Sequence, residues 1–514
     1  MHLLDVNTLQ LEKFVKEKDG KAVVNYGILS HRWLAQREKV TFQDIETGNY
    51  HQKTGCYKLL NCCEQAKRDN LRYVWIDTCC IDKTSNTELQ EAINSMYRWY
   101  ENADKCYAFL KDTVREESGD LRLCQAEEWF QRGWTLQELI APKEVHFFDC
   151  RWQYIGDRVS LKHLISDTTG IGLPLLEGTR KPHEFSVAER MSWASGRKTT
   201  RDEDRSYSLI GLFDVNMPML YGEGATKAFL RLQEEIIKTS DDHSIFAWKG
   251  VQGAQGLLAT SPDSFRDCKG MRGITRRSGN IVFSMTNRGL SITLNLRPWA
   301  VDTYLALIDC EEARQNGDGS TSQQLGIFLR RLEADDQYAR VGLDGKDIYR
   351  NVFKLSPRYS RDLPIYVRQV RIDTEKHANH ERLNGFRVSS DIAKSAQKGQ
   401  KNWNAQERIV YFTPNMIELQ EKAVLWIKKH GNQSKIELYF DFNFNPILHN
   451  NFKDVNTING NGDRIKGIKG YTDGKEKVRV ILSKVEIGNT LVWDLNIKEY
   501  TKEKEGTFLK RLLR

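Results

Sequence analysis

KAVVNYGILS, residues 21–30, runs directly into the polar HRW of residues 31–33. The run is rich in residues that favour strands, and its polar end suits a strand that stops at a working edge. Downstream, GCYKLLNCCEQAKRD (55–69) has helical spacing, with Leu59, Leu60, Cys63 and Ala66 able to share a face. LRYVWIDTCCID (71–82) is a second apolar run with a polar end. TELQEAINSMYRWYENA (87–103) predicts an amphipathic helix through Leu89, Ile93, Met96, Tyr97 and Tyr100, with Thr87 and Gln90 resembling a capping box. KCYAFLKD (105–112) reads as a third strand, EEWFQRGWTLQELI (127–140) as a helix and EVHFFD (144–149) as a fourth strand. Strand and helix alternating at this pace predict an α/β domain with a parallel sheet covered on both faces. In such sheets the working groups lie beyond the carboxyl ends of the strands. That gathers HRW and DTCCID at one edge, within reach of Glu138 in the later helix.

The 514 residues exceed one compact core, so two or three domains are expected. Leu161 to Ser240 is mainly helical in pattern. MPMLYGEG (217–224) is a turn-rich closure, its Gly-x-Gly shaping a turn, and ATKAFLRLQEEIIKTS (225–240) is an amphipathic helix. The first domain is therefore expected over 1–250, with an α/β core at about 20–150 and a helical extension over 151–250. Beyond Trp248 the chain changes to short alternating segments separated by Gly, Asn and Asp. A β-rich domain over 251–420 and a β-rich C-terminal unit over 421–514, sandwich-like in pattern, are expected. Tyr439, Phe440, Phe442 and Phe444 alternate with polar residues as in a half-buried strand.

Charge and cysteine usage narrow the setting. The net charge of +8 is spread along the chain except in the terminal EKEGTFLKRLLR, where Lys510, Arg511 and Arg514 read as a short solvated tail. A nucleic-acid partner is not expected. No stretch approaches the ~20 apolar residues of a membrane span. Ten cysteines, eight before residue 151, follow no secretory signal and form no CxxC pair. Reduced thiols in the cytoplasm and no metal site are expected.

Glu138 lies between Leu136 and Leu139, where a carboxylate costs free energy unless it is paired or used. Pairing with Arg132 or capping a neighbour is the structural alternative. Trp33 suits stacking on a flat ring, and Arg32 suits an anion, against a core Trp and a backbone-bonded His31. Asp77, Cys80 and Asp82 follow the second strand. Asp77 either caps a turn, pairs with Arg132 or meets a ligand, and Cys80 is either a buried apolar residue or a nucleophile. The run Arg201, Asp202, Glu203, Asp204, Arg205 reads as a solvated face or a latch onto the sheet.

YGILSHRW (26–33), YVWIDTCCIDK (73–83) and RGWTLQELIAP (132–142) resemble the signature blocks of the fungal HET (heterokaryon incompatibility) domain. TELQEAINSMYRWYENADKCYAFL and ERMSWASGRKTTRDEDRSYSLIGLFDVNMPMLYGEG are similar to further blocks of the subgroup in which this domain precedes other modules. The resemblance spans roughly residues 22–240. Arg32 departs from it, since many members carry Thr there, and no GxxxxGK[ST] follows. The resemblance implies a role in fungal non-self recognition, cell death after fusion of unlike cells, an incompatibility partner and self-association. HET domains also resemble TIR domains, which have a flavodoxin-like sheet. Enzymatic TIR domains carry Trp-x-x-x-Glu-Leu/Ile after the third strand, matched here by Trp134, Glu138 and Leu139. That likeness implies NAD+ as substrate rather than cofactor, Glu138 as catalytic residue, and Ser30, His31, Arg32, Trp33, Asp77, Cys80, Asp82 and Trp134 around the substrate. The alternatives are a non-enzymatic death adaptor that acts by assembly, and a Cys/His hydrolase using Cys80 and His31.

Overall fold

The computed structural model describes residues 1–14, 17–18, 21–22, 24–115, 121–122, 127–251, 255–274, 282–300, 303–314, 321–332, 336–342, 346–350 and 360–369, together with the strands between 384 and 499. Phe442, Phe444, Lys510, Arg511 and Arg514 lie outside the described residues. The chain divides into two units. The first holds Met1–Lys249, Leu258–Thr275 and Cys310–Ala313, and the second holds the rest.

The first unit is built on one mixed sheet. Its strands are β1 (His2–Asp5), β2 (Leu11–Lys13), β3 (Tyr26–His31), β4 (Tyr73–Trp75), β5 (Lys105–Phe109), β6 (Val145–Phe148) and β7 (Tyr154–Asp157), in the order β7-β6-β5-β3-β4-β1-β2. The four central strands are parallel. Every residue of β3 is buried, as a central strand flanked on both sides requires. The edges differ from the expected parallel sheet. β1, β2 and β7 run antiparallel to their neighbours, and β7 falls within the stretch read as helical extension.

Two helices cover the sheet with sharper patterns than the sequence suggested. In α1 (Cys56–Arg68) the buried stripe is Leu59, Cys62, Cys63 and Ala66, whereas Leu60 turns to solvent. Helix α2 (Asn86–Asn102) starts earlier than the Thr87 box implied. Ser85 is its N-cap and accepts from Glu88 N at 3.3 Å, while the Glu88 carboxylate accepts from Asp82 N at 3.0 Å. Its buried Ile93 and Met96 each contribute about 1.5–3 kcal/mol by leaving water.

The helix expected over 127–140 is two pieces, α3 (Glu128–Gln131) and α4 (Thr135–Ile140). Arg132 is extended between them, with φ −80° and ψ 144°. A backbone bridge replaces the missing turn: Lys198 N donates to Gln131 O at 2.6 Å and Gly133 N to Lys198 O at 2.9 Å. A Cβ on Gly133 would stand 2.6 Å from Thr199 Cγ2, so only glycine admits this approach. The break thereby brings the polar segment after residue 198 against the start of α4.

That segment leads through α5 (Asp204–Tyr207) to a loop at 218–224 and α6 (Ala225–Ile237). Glu203 fixes the loop by accepting from Gly222 N at 2.8 Å and Gly224 N at 3.1 Å. Tyr207 adds a hydroxyl that donates to Glu223 at 2.9 Å and accepts from Leu220 N at 2.9 Å.

The second unit is strand-rich. Gly289–Ala300, Thr303–Arg314, Thr321–Arg331, Gln337–Val341 and Arg361–Val367 belong to one largely antiparallel sheet. Its apolar cluster joins Leu305, Leu307, Phe328, Ala339 and Val341, with Trp299 and Tyr349 packed against them. Later strands form a six-stranded and a three-stranded sheet, the latter including Asn432–Phe440.

Candidate functional site

The central strand order β4-β3-β5-β6 places the first strand between the second and third, so the crossovers leave on opposite sides of the sheet between β3 and β5. Crevices at the carboxyl ends of such strands are where open α/β sheets bind ligands. Ser30 and His31 end β3 at this point.

Ser30 is fully buried and links two groups. Trp129 Nε1 donates to Ser30 Oγ at 2.9 Å, and the Ser30 hydroxyl donates to Glu138 Oε2 in a short hydrogen bond. The Glu138 carboxyl is therefore held by Ser30, not by an ion pair with Arg132. Burial pushes its pKa up to about 8, helped by the nearby Asp77 charge and opposed by Ser30, Arg132 and Tyr100. At neutral pH the group is mostly protonated. The buried Arg197 guanidinium lies behind it, donating to Trp193 O at 2.9 Å and Arg132 O at 2.9 Å, so it also ties down the α3–α4 break.

Glu138 opens into a cavity of about 330 Å³. His31, Trp33, Asp77 and Trp134 line the same cavity. Trp33 Nε1 donates to Asp77 Oδ2 at 2.5 Å, so Asp77 pairs with the indole and not with Arg132. His31 is held neutral down to about pH 3 by burial, and its Nδ1 has no hydrogen-bond partner. Burial of a neutral imidazole leaves an unused polar atom on a residue that lines the cavity.

The remaining sequence candidates lie elsewhere. Arg32 turns outward to Asp112 at 3.0 Å and to Glu128. Cys80 is buried, accepts from Ile76 N at 3.3 Å, and lines a separate cavity of about 620 Å³. Asp82 accepts from Thr84 N at 3.0 Å and from Gln43 Nε2 at 2.7 Å, fixing the turn before α2. No cluster of metal-ligating side chains occurs among the described residues, and the nine cysteines among them are free thiols.

Among the lining residues that sequence reasoning missed are Lys39, Lys83, Arg201, Asp204 and Tyr221. Arg201 and Asp204 belong to the charge run read as a solvated face or latch. Asp204 accepts from Tyr221 Oη at 3.0 Å and from the Trp134 side chain, and the Arg201 guanidinium lies 4.0 Å from the Tyr221 ring centroid. The Gly133 bridge positions this wall. A glycine inside an otherwise helical pattern was the available signal.

Among the described residues no helix is long and apolar enough to cross a membrane. No solved structure matches the chain. Residues 227–264 match a domain of unknown function, DUF8212. Over 244 residues the chain is 47% identical to the vegetative incompatibility protein HET-E-1 of Podospora anserina. That alignment covers 46% of this chain and 18% of the relative. Residues 26–128 match the heterokaryon incompatibility protein (HET) family model, with β3, β4, α2 and β5 inside the match. The first unit thus carries a HET domain over residues 26–128, formed on its α/β sheet.

Proposed function

We propose that the chain is an effector of fungal non-self recognition, acting in vegetative incompatibility and the cell death that follows it. Its similarity to a vegetative incompatibility protein supports this role. We further propose that the cavity at the end of β3 hydrolyses the nicotinamide–ribose bond of NAD+. The observation that carries this reading is Glu138: a carboxyl at the switch point of the sheet, fixed by the Trp129–Ser30 relay and open to a cavity with two indoles.

The chemistry follows from that placement. The C1′–N bond breaks, its electrons leave with neutral nicotinamide, and positive charge builds on the ribose. Water adds to C1′ and releases a proton, giving ADP-ribose. In its ionised form Glu138 would accept hydrogen bonds from the ribose hydroxyls and stabilise the developing charge. An approaching cationic pyridinium favours that ionised form, lowering the pKa from its value in the empty cavity. Trp33 and Trp134 offer flat faces or edges to the rings. A route through Cys80 lacks this support, since Cys80 lines a different cavity from the one that Glu138 lines and its buried thiol is bonded to backbone.

The test is nicotinamide release from NAD+ by the full chain at high concentration, compared with Glu138→Ala of verified fold. Release that disappears in the variant supports the assignment. No release from a sample shown to assemble sinks it, and leaves homotypic assembly as the working reading.

A further inference from the structure

Lys83 Nζ is buried and has no hydrogen-bond partner. An ammonium withdrawn from water without a partner is costly, so a site that keeps one has a use for it. The group lies 3.9 Å from the centroid of the Trp33 ring, which compensates only in part. Lys39 Nζ lies 4.5 Å from the same ring. Burial favours loss of the proton from both, and Lys83 also feels the Lys39 charge. The carboxylate that offsets them is Asp77, which already receives the Trp33 indole N–H. Along the whole cavity, Lys39, Lys83, Arg132 and Arg201 outnumber Asp77 and Asp204 while Glu138 is protonated.

We infer that the Trp33 end of the cavity is an anion subsite, in which Lys39 and Lys83 take a phosphate or diphosphate of the ligand, with Arg201 as a third cation. This rests on reading the cavity as a nucleotide site, and it names the group that does the anchoring. Arg32 suited that task by sequence but is engaged with Asp112 and Glu128. Lys83 closes YVWIDTCCIDK and Lys39 lies in the loop after β3, so the two meet only through the fold. The substrate class is a phosphorylated compound whose other end reaches Glu138. An uncharged nucleoside would satisfy the rings but leave Lys83 unpaired. The unpartnered Nδ1 of His31 is a further contact for a hydroxyl or amide of the same ligand.

The experiment is calorimetric titration of the full chain with inorganic pyrophosphate, ADP-ribose and adenosine. Pyrophosphate and ADP-ribose should bind, with adenosine much weaker. Lys83→Met keeps the apolar stem beside Trp33 and removes the charge. It should weaken both anions by about tenfold or more, the scale of one charge-assisted hydrogen bond. Lys83→Arg should recover part of the loss. Thermal unfolding without ligand verifies the fold, and Lys39→Met serves as a second variant if Lys83→Met does not fold. Absence of pyrophosphate binding, or equal affinity in the Met variants, overturns the inference. The two readings fail separately. Lys83-dependent pyrophosphate binding without nicotinamide release keeps the subsite and removes the hydrolase. Nicotinamide release whose KM is unmoved by Lys83→Met does the reverse.

Discussion

Replacing Glu138 by Gln keeps the shape of the side chain and removes its titration. In the folded chain this carboxyl holds its proton up to about pH 8, against an ordinary value of 4.5. Between those values the folded state binds a proton that the unfolded chain has released, so the wild type loses stability as pH rises through this window. Integrating the two titrations gives a cost of roughly 3 kcal/mol at pH 7 and under about 1 kcal/mol at pH 5. Gln carries no such cost at either pH. Its carbonyl still accepts from Ser30, and any mismatch at its amide is the same at every pH. The variant should therefore gain about 2 kcal/mol on the wild type between pH 5 and pH 7, whatever its constant offset. For a unit of this size that is a relative rise in Tm of about 4–8 °C. The assay is thermal unfolding of the full chain across this range, followed by tryptophan fluorescence, since eight of the twelve tryptophans lie before residue 250. A Tm difference that stays constant with pH, or that moves against the variant as pH rises, would refute the account of a buried protonated carboxyl.

Other outcomes follow from the same geometry. The kcat/KM for nicotinamide release, which reports the empty site, should increase from pH 6 toward pH 8 as Glu138 ionises, and a flat kcat/KM profile over that range would remove the carboxylate from the working form. Ser30→Ala leaves Trp129 Nε1 and Glu138 Oε2 without their shared partner, and should cost about 1–3 kcal/mol in urea unfolding. Gly133→Ala places a methyl 2.6 Å from Thr199 Cγ2 and should destabilise the first unit by about 1–3 kcal/mol. Adding Thr199→Ser to Gly133→Ala should return part of that loss, and strict additivity in the double variant would count against the close approach.

The central strands were legible because each is a short apolar run closed by polar residues, a pattern that needs no distant information. YGILSH, YVW and VHFF carry it plainly. The edge strands were not, since β1 is four residues long and gains its identity only by pairing with β2 and β4. His31, Trp33, Asp77 and Glu138 could be proposed together because strand ends converge in a parallel sheet, while Ser30 and Trp134 entered through the family resemblance. Whether a given side chain turns inward was not readable. Arg32 and Trp33 are neighbours, yet one meets Asp112 and the other Asp77. The wall of Arg201, Asp204 and Tyr221 was hidden for a further reason. It depends on Lys198 bridging to Gly133 across 65 residues, and the glycine marks a break in the helix without naming its distant partner.

That bridge also decides what can be exchanged between relatives. The stretch matching the HET family model ends at residue 128, ten residues before Glu138 and well before Tyr221. A graft limited to residues 26–128 would carry Ser30, Trp33 and Asp77 but borrow its carboxyl and outer wall from the recipient. The shortest transplant that moves the cavity intact extends through the loop at 218–224, because Glu203 and Tyr207 pin that loop where Tyr221 can face Asp204. Chimeras cut at the earlier boundary would be mosaics within a single pocket, and a loss of ligand binding in them would speak to mismatched halves of that pocket.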